Sequence, residues 1–132
     1  MDSQLSLGPL GQVSMLCRSA ERTEAWYRDV LRMRHIFTFG ELVFFDCGGT
    51  RLYFRQVLET EWRKGSILYF LVDDMGLAHD ALAERGVHFQ GAPHMIYKDP
   101  DSGVEEWMAF FDDPDGSTLS LMARVALEGE RD

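Results

Sequence analysis

The sequence predicts an α+β protein built from two βαβββ repeats, whose strands form a curled mixed sheet around a cleft. Each half of the chain contains one strand-like run, one helical run and three further strand-like runs, so the same order occurs twice. Turn-forming residues separate these runs in both halves. With 132 residues, of which 45% are hydrophobic, the chain is long enough to bury the core of one such domain.

The first repeat begins with a half-buried strand at Gln12–Cys17 and continues into a helix. Ser19 precedes this helix and has a side chain suited to capping its N-terminus. Apolar residues then recur at helical spacing, namely Ala25, Trp26, Val30 and Leu31. Three strands follow at residues 35–39, 42–46 and 51–56, with Gly40 and the pair Gly48 and Gly49 in the turns between them.

The second repeat follows the same order, from a strand at residues 67–72 to a helix capped by Asp74. Leu77, Ala78, Ala81 and Leu82 form the predicted apolar stripe of this helix, and Gly86 ends it. Strands are predicted at residues 87–89, with an extension toward residue 96, at 106–111 and at 118–122. The turns at residues 99–103 and 113–116 are rich in Asp, Pro and Gly.

The other segments connect or flank the repeats. We expect a flexible N-terminus over residues 1–9, the first repeat over 10–57, a charged linker over 58–65, the second repeat over 66–124 and an acidic tail over 125–132. Together these segments make a single domain.

Composition narrows the range of partners. The net charge of −9 argues against a nucleic-acid partner and an anionic membrane surface, and acidity that serves only solubility is its favoured explanation. No apolar run approaches the roughly 18 residues of a membrane-spanning helix, and the first residues lack a signal-peptide pattern. Cys17 and Cys47 form no C-x-x-C motif and no disulfide framework. We therefore expect a soluble cytoplasmic protein.

Two motifs resemble those of a known family, the vicinal oxygen chelate superfamily of glyoxalases, bleomycin-resistance proteins and extradiol dioxygenases. Residues 25–31 are similar to the end of that family's first helix, although Arg32 stands where the family usually has Gly. Residues 111–116 resemble the turn before its last strand, with Ser117 in place of the commoner Asn. The resemblance covers residues 11–124 and implies the paired-repeat fold and a homodimer, but it implies no single reaction.

Family members that carry out chemistry usually hold a divalent metal with four His, Gln or Glu side chains. By resemblance, the corresponding positions here are Gln12, Tyr53, Ile67 and Ser120. Only Gln12 is an ordinary ligand of such a site, because Ile67 has no donor atom and a neutral hydroxyl is a weak one. The resemblance therefore predicts that the usual metal is absent, and we expect no other cofactor.

Strand alternation divides the side chains between a helix-packed face and a cleft face. Val13, Met15, Leu52, Phe54, Leu68, Phe70, Leu119 and Leu121 are expected under the helices. The predicted ligand-binding residues are Gln12, Ser14, Phe39, Arg51, Tyr53, Arg55, Ile67, Tyr69, His94, Trp107, Ser120 and Met122, with Phe37 as an alternative to Phe39. Such apolar and aromatic walls with a few polar groups are typical of an organic-ligand pocket. Alternatively, the aromatic residues simply fill the cleft, and Arg51 and Arg55 pair with carboxylates rather than with a ligand.

Other reactive residues give weaker signals. His94, Glu105 and Glu106 fall on adjacent predicted strands, where a His and a Glu can meet across a hairpin. Two such ligands are too few for a metal site, and a hydrogen-bonded rim residue is the alternative for His94. We expect His79 to be exposed beside its helix stripe, and neither Cys17 nor Cys47 lies next to a His in the sequence.

Three functional hypotheses follow. The first is a metal-free protein that binds and sequesters a small apolar or aromatic molecule, with no catalytic residue assigned. The second is an enzyme, for which a lyase or isomerase is favoured over a dioxygenase. It would use a non-standard set of metal ligands, or Tyr53, Tyr69 or His94 as a general acid or base. The third is a scaffold with a closed cleft that binds another protein.

Overall fold

The computed structural model describes residues 3–126, and the chain divides into two compact units, Met1–Trp62 and Arg63–Asp132. The elements of the first unit are β1 (Gln12–Cys17), α1 (Ala20–Ala25) with a π-helical turn (Trp26–Val30), β2 (Arg34–Phe39), β3 (Leu42–Cys47), β4 (Thr50–Gln56) and a short 3-10 turn (Glu59–Glu61). The predicted βαβββ order is therefore present in this unit. The 3-10 turn lies in the segment predicted as a linker, where Glu59 forms an ion pair with Arg18 at 2.6 Å.

Helix α1 begins where the sequence predicts. The Ser19 hydroxyl accepts a hydrogen bond from the Arg22 N–H at 3.1 Å, which satisfies one of the free donors of the first turn. The buried helical positions are Ala20, Thr23 and Tyr27, so the buried face differs from the predicted apolar stripe. Tyr27 is completely buried, and its ring centroid lies 4.5 Å from that of Phe54.

The turn after this helix keeps a left-handed conformation without glycine. Arg32 has φ 56°, a region that costs an L-residue roughly 1–2 kcal/mol. In the second unit, Gly86 occupies the corresponding turn with φ 91°, as predicted for the residue that ends the helix. The two turns therefore share a backbone geometry but not a residue type.

The first sheet has the strand order β1-β4-β3-β2, in which only the β1–β4 pair is parallel. One face is buried against α1 and the π-helical turn, and it contains Met15, Val43, Phe45, Leu52 and Phe54. A bulge between His35 and Phe37 shifts the alternation of β2, the edge strand. Because of this shift, Phe37 and Phe39 lie on the opposite face from the core.

The second unit contains β5 (Leu68–Leu71), α2 (Met75–Glu84), β6 (His94–Lys98), β7 (Glu105–Asp112) and β8 (Thr118–Val125). Its sheet has the order β5-β8-β7-β6, again with one parallel pair, β5–β8. The strand predicted at residues 87–89 is wrong. Phe89 forms only an isolated bridge with Phe111, and the pairing strand begins at His94.

Helix α2 is capped by Asp74, whose carboxylate accepts a hydrogen bond from the Leu77 N–H at 3.0 Å. Its predicted apolar stripe is partly wrong, because Leu77 is 71% exposed whereas Met75 and Leu82 are buried. His79 lies on the packed side instead, with its ring centroid 4.2 Å from that of Phe89. No helix among residues 3–126 is both long and apolar enough to cross a membrane. The predicted acidic tail lies outside the described residues from residue 127 onward.

Candidate functional site

The first unit has an open face, the side of its sheet that does not pack against the helix, and we call it the first open face. Three rows of side chains cross it from β1 through β4 and β3 to β2. The polar row is Gln12, Arg51, Asp46 and Arg34; the aromatic row is Ser14, Tyr53, Phe44 and Phe37; the outer row is Leu16, Arg55, Leu42 and Phe39. The face therefore unites predicted site residues from β1, β2 and β4.

The aromatic row is a continuous stack. The rings of Phe37 and Phe44 have centroids 4.5 Å apart and planes inclined by 21°. Phe44 and Tyr53 continue the stack at 5.2 Å and 18°. Phe37 is 44% exposed, and Phe44 and Tyr53 are half-buried. A stack of this kind presents a flat, partly accessible aromatic surface, which suits a planar apolar ligand.

The two arginines of the polar row have different hydrogen-bond partners. The Arg34 guanidinium donates to the Asp46 carboxylate at 3.2 Å, and the backbone N–H of Gly49 donates to the same carboxylate at 3.0 Å. Arg51 instead donates through Nε to Gln12 Oε1 at 2.9 Å. Its Cζ also lies 5.4 Å from the ring centroid of Phe44.

The outer row adds apolar area and one more cation. Phe39 is 74% exposed, which is high for a large hydrophobic residue. Arg55 pairs with Leu16 on one side and Leu42 on the other, and its side chain is exposed. Within residues 3–126, no carboxylate lies within ion-pair distance of Arg55 or of Arg51.

The second unit has a corresponding open face, the second open face, with different chemistry. One row contains Tyr69, Ser120 and Phe110, and the next contains Leu71, Met122, Met108 and His94. Tyr69 meets Phe110 edge-to-face, with centroids 6.0 Å apart and planes at 78°. The ring centroids of His94 and Phe110 are 6.2 Å apart, and His94 Nδ1 is 3.2 Å from the carbonyl oxygen of Ala92. This face therefore lacks a continuous stack.

Two predicted site residues of the second unit differ from expectation, Ser120 in its exposure and Trp107 in its face. Ser120 is on the second open face but is 0% exposed, and its hydroxyl donates to the Leu121 carbonyl at 2.8 Å. Trp107 pairs with Ala123, which is on the buried face of the sheet, so the assignment of Trp107 as a cleft wall is corrected. Its indole N–H donates to the Glu105 carboxylate at 2.9 Å.

The strand register also excludes the suggested His–Glu contact across the β6–β7 hairpin. His94 is opposite Met108, whereas Glu105 and Glu106 are opposite Lys98 and Tyr97 at the other end of the pair. The Glu106 carboxylate instead faces Arg124, with Oε2 3.6 Å from the arginine Nε. In the part of the chain that the structure describes, no three His, Cys, Asp or Glu side chains form a group that could hold a metal ion.

The cysteines show no feature of an activated nucleophile. Cys17 is completely buried at the end of β1. Partial burial of Cys47, reinforced by the neighbouring Asp46 carboxylate, raises the pKa of its thiol. A raised pKa keeps the thiol protonated near neutral pH, which disfavours nucleophilic attack.

Comparison with known proteins agrees with this architecture. A family model of the glyoxalase/bleomycin resistance protein/dioxygenase superfamily matches residues 10–121. The chain therefore belongs to this superfamily. No curated protein sequence matches the chain.

Several solved structures share the fold. A superfamily member from Sphaerobacter thermophilus is 22% identical, with a TM-score of 0.68 over 90% of this chain and 99% of that one. Lactoylglutathione lyase from Agrobacterium tumefaciens is 18% identical, with a TM-score of 0.68 over 89% of this chain and 95% of the other. An integron cassette protein from V. cholerae is 16% identical, with a TM-score of 0.70 over 90% and 97%. At these identities the similarity concerns the fold alone.

Proposed function

We propose that this protein binds and sequesters a small, flat aromatic molecule on the first open face. The stacked row of Phe37, Phe44 and Tyr53 is the observation that carries the proposal. Leaving aromatic rings accessible to water is unfavourable unless a partner covers them, and a planar ligand covers them with little ordering cost. The exposed Phe39 adjoins the stack and extends its apolar surface.

The donor set supports binding without the divalent metal that the superfamily implies. In the first unit, Gln12 Oε1 already accepts from the Arg51 guanidinium, a cation that would repel a metal ion. Tyr53 of the same unit adds only a phenol oxygen, which is a weak donor to such a metal. In the second unit, Ile67 offers no donor atom and the buried Ser120 hydroxyl is directed to a carbonyl. These residues do not fit a divalent cation, and the proposed function uses none.

The metal-free proposal has a direct test. Protein purified without chelators, in its full-length form, is expected to contain far less than one divalent ion per chain by elemental mass spectrometry. One tightly held ion per chain would instead favour an enzyme with a non-standard metal set.

The binding proposal is tested with the neutral fluorescent probe N-phenyl-1-naphthylamine. Replacing Phe44 by Leu keeps an apolar side chain but removes the central ring of the stack. Because an aromatic pair contributes about 0.5–1.5 kcal/mol beyond its buried area, we expect the dissociation constant to rise about 2- to 12-fold. Phe110→Leu is the matched control, since Phe110 occupies the corresponding position of the second open face.

The control should leave binding of this probe nearly unchanged. Equal losses in Phe44→Leu and Phe110→Leu, or no saturable binding by the unsubstituted protein, would contradict the assignment of the ligand to the first open face.

We further propose that the protein acts as a cytoplasmic homodimer. Within the described residues, Cys17 and Cys47 form no disulfide, which is consistent with a reducing compartment. Sedimentation of the full chain is expected to give twice the monomer mass of 15.1 kDa. A monomer would remove this part of the proposal and leave the binding face as it is.

A further inference from the structure

We propose that the aromatic molecule bound on the first open face is an anion, and that Arg51 binds its negative group. This inference rests on the proposed function and specifies the chemical class of its ligand. A carboxylate, sulfonate or phosphate attached to a flat ring system has the required chemistry. The ring would lie along the aromatic row, and the charged group would reach the adjacent polar row.

Arg51 is held in position by its neighbours. Its Nε donates to Gln12 Oε1 at 2.9 Å, and its Cζ lies 5.4 Å from the centroid of Phe44. These contacts use one N–H of the guanidinium and leave the two Nη groups for another acceptor. A carboxylate binds such a pair of groups in a bidentate manner, and holding the guanidinium in advance lowers the ordering cost.

The acidic residue nearest to Arg51 in the register does not neutralise it. Asp46 lies directly opposite Arg51 across β3 and β4, yet its carboxylate is bound by Arg34 and by the backbone N–H of Gly49. Although the chain has 22 acidic and 13 basic residues, no described carboxylate lies within ion-pair distance of Arg51. A ligand anion would supply such a partner.

The overall negative charge does not oppose this assignment strongly. At physiological ionic strength, charges farther than about 8 Å are largely screened, so the charges on the face itself decide the interaction. The Asp46 carboxylate is paired with Arg34, and Arg51 and Arg55 remain as cations. Arg51 and Arg55 lie on either side of Tyr53 along β4. The Cα atom of each arginine is about 7 Å from that of Tyr53, since a strand rises about 3.4 Å per residue.

At the corresponding positions the second open face has Thr118 and Met122. Arg124 lies further along β8 on that face, but its Nε is 3.6 Å from Glu106 Oε2. Arg51 and Arg55 differ from it in having no described carboxylate within ion-pair distance.

The test compares two probes of the same shape, 2-naphthoate and its neutral amide 2-naphthamide, by isothermal titration calorimetry with the full chain. A hydrogen-bonded charge pair at a partly exposed site should make naphthoate bind about tenfold more tightly than naphthamide. In Arg51→Gln this preference is expected to disappear through weaker naphthoate binding, while naphthamide binding changes by less than about twofold. Arg63→Gln is the control, since it removes the same charge from an exposed residue outside the sheet.

Each outcome has a defined meaning. Equal affinity of the unsubstituted protein for the two probes overturns the inference but leaves the proposed function standing, and this comparison needs no variant. Failure of both probes to bind overturns the proposed function itself. A preference that persists in Arg51→Gln, or that is lost equally in Arg63→Gln, removes Arg51 from the anion site. A change of native mass in Arg51→Gln would place that residue at an interface between copies and would also overturn the inference.

Discussion

The two units share a backbone plan but present different open faces. Both have a helix after the first strand, the same strand order and one parallel pair in the sheet. At corresponding positions of the register, however, the first unit has Tyr53 and Phe44 whereas the second has Ser120 and Phe110. The first unit stacks its rings and adds Arg51, whereas the second has methionines and an edge-to-face pair.

The buried and open faces of the two sheets are under different constraints. Side chains on the buried faces are apolar in both units, because each sheet must cover its helix. Side chains on the open faces are not constrained in this way, so the repeat can carry a binding surface in one unit and a different surface in the other. The comparison predicts equal sensitivity of the two cores and unequal sensitivity of the two open faces.

The largest expected effect concerns the cores. Phe45→Ala in the first unit and Phe111→Ala in the second remove completely buried rings at corresponding register positions. Each should lower the free energy of unfolding by about 3–5 kcal/mol, measured by urea denaturation. If one substitution is nearly neutral while the other is severe, the two units do not share an equivalent core.

The helix caps should show a smaller but parallel effect. Ser19→Ala and Asp74→Ala each remove the acceptor of a first-turn N–H, so each should cost about 1 kcal/mol of stability. Asp73→Ala is a matched control beside the second cap, because Asp73 is exposed and is not the cap residue. Equal losses in Asp73→Ala and Asp74→Ala would show that charge, rather than capping, explains the result.

The turns after the helices should respond in opposite directions. Arg32→Gly relieves the positive φ and should stabilise the protein by up to about 1 kcal/mol, less the entropy that glycine adds to the unfolded chain. Gly86→Ala introduces a side chain at φ 91° and should destabilise it by a similar amount. Thermal melting of both variants checks the signs, and a destabilised Arg32→Gly protein would mean that the Arg32 side chain contributes contacts of its own.

The smallest expected effect concerns Cys47. Burial is the main cause of its raised pKa, so the native thiol should react with iodoacetamide at pH 8 more slowly than free cysteine. Asp46→Asn removes the lesser cause and should accelerate alkylation only modestly. Reaction faster than that of free cysteine would contradict the picture of an unactivated thiol.

The sequence was sufficient for the repeat and most element positions because these depend on local signals. Ser19, Asp74 and Gly86 predict helix ends by their own hydrogen-bonding or conformational properties, and each occurs where predicted. Alternation likewise predicts the buried faces of β1, β4 and β8. The superfamily could be predicted because its motifs lie in these same local elements.

Other features depend on contacts that local patterns do not encode. All side chains of β6 are exposed, so this edge strand has no burial pattern to reveal it, whereas Val87 and Phe89 alternate around His88 as in a strand. The face of Trp107 follows from the register of β7 against β8, which local sequence patterns do not encode, so its predicted place in the cleft wall is wrong. The stacking of Phe37 on Phe44 depends on the bulge in β2, so only the structure could reveal the aromatic row.

The most direct test of the central claim is to map 2-naphthoate binding onto the backbone amides of the full-length protein by two-dimensional NMR. We expect the shifts that saturate with ligand to cluster on β2, β3 and β4, around Phe37, Phe44 and Tyr53. Shifts concentrated on β7 and β8, or scattered without saturation, would contradict the claim that the first unit presents the aromatic binding surface.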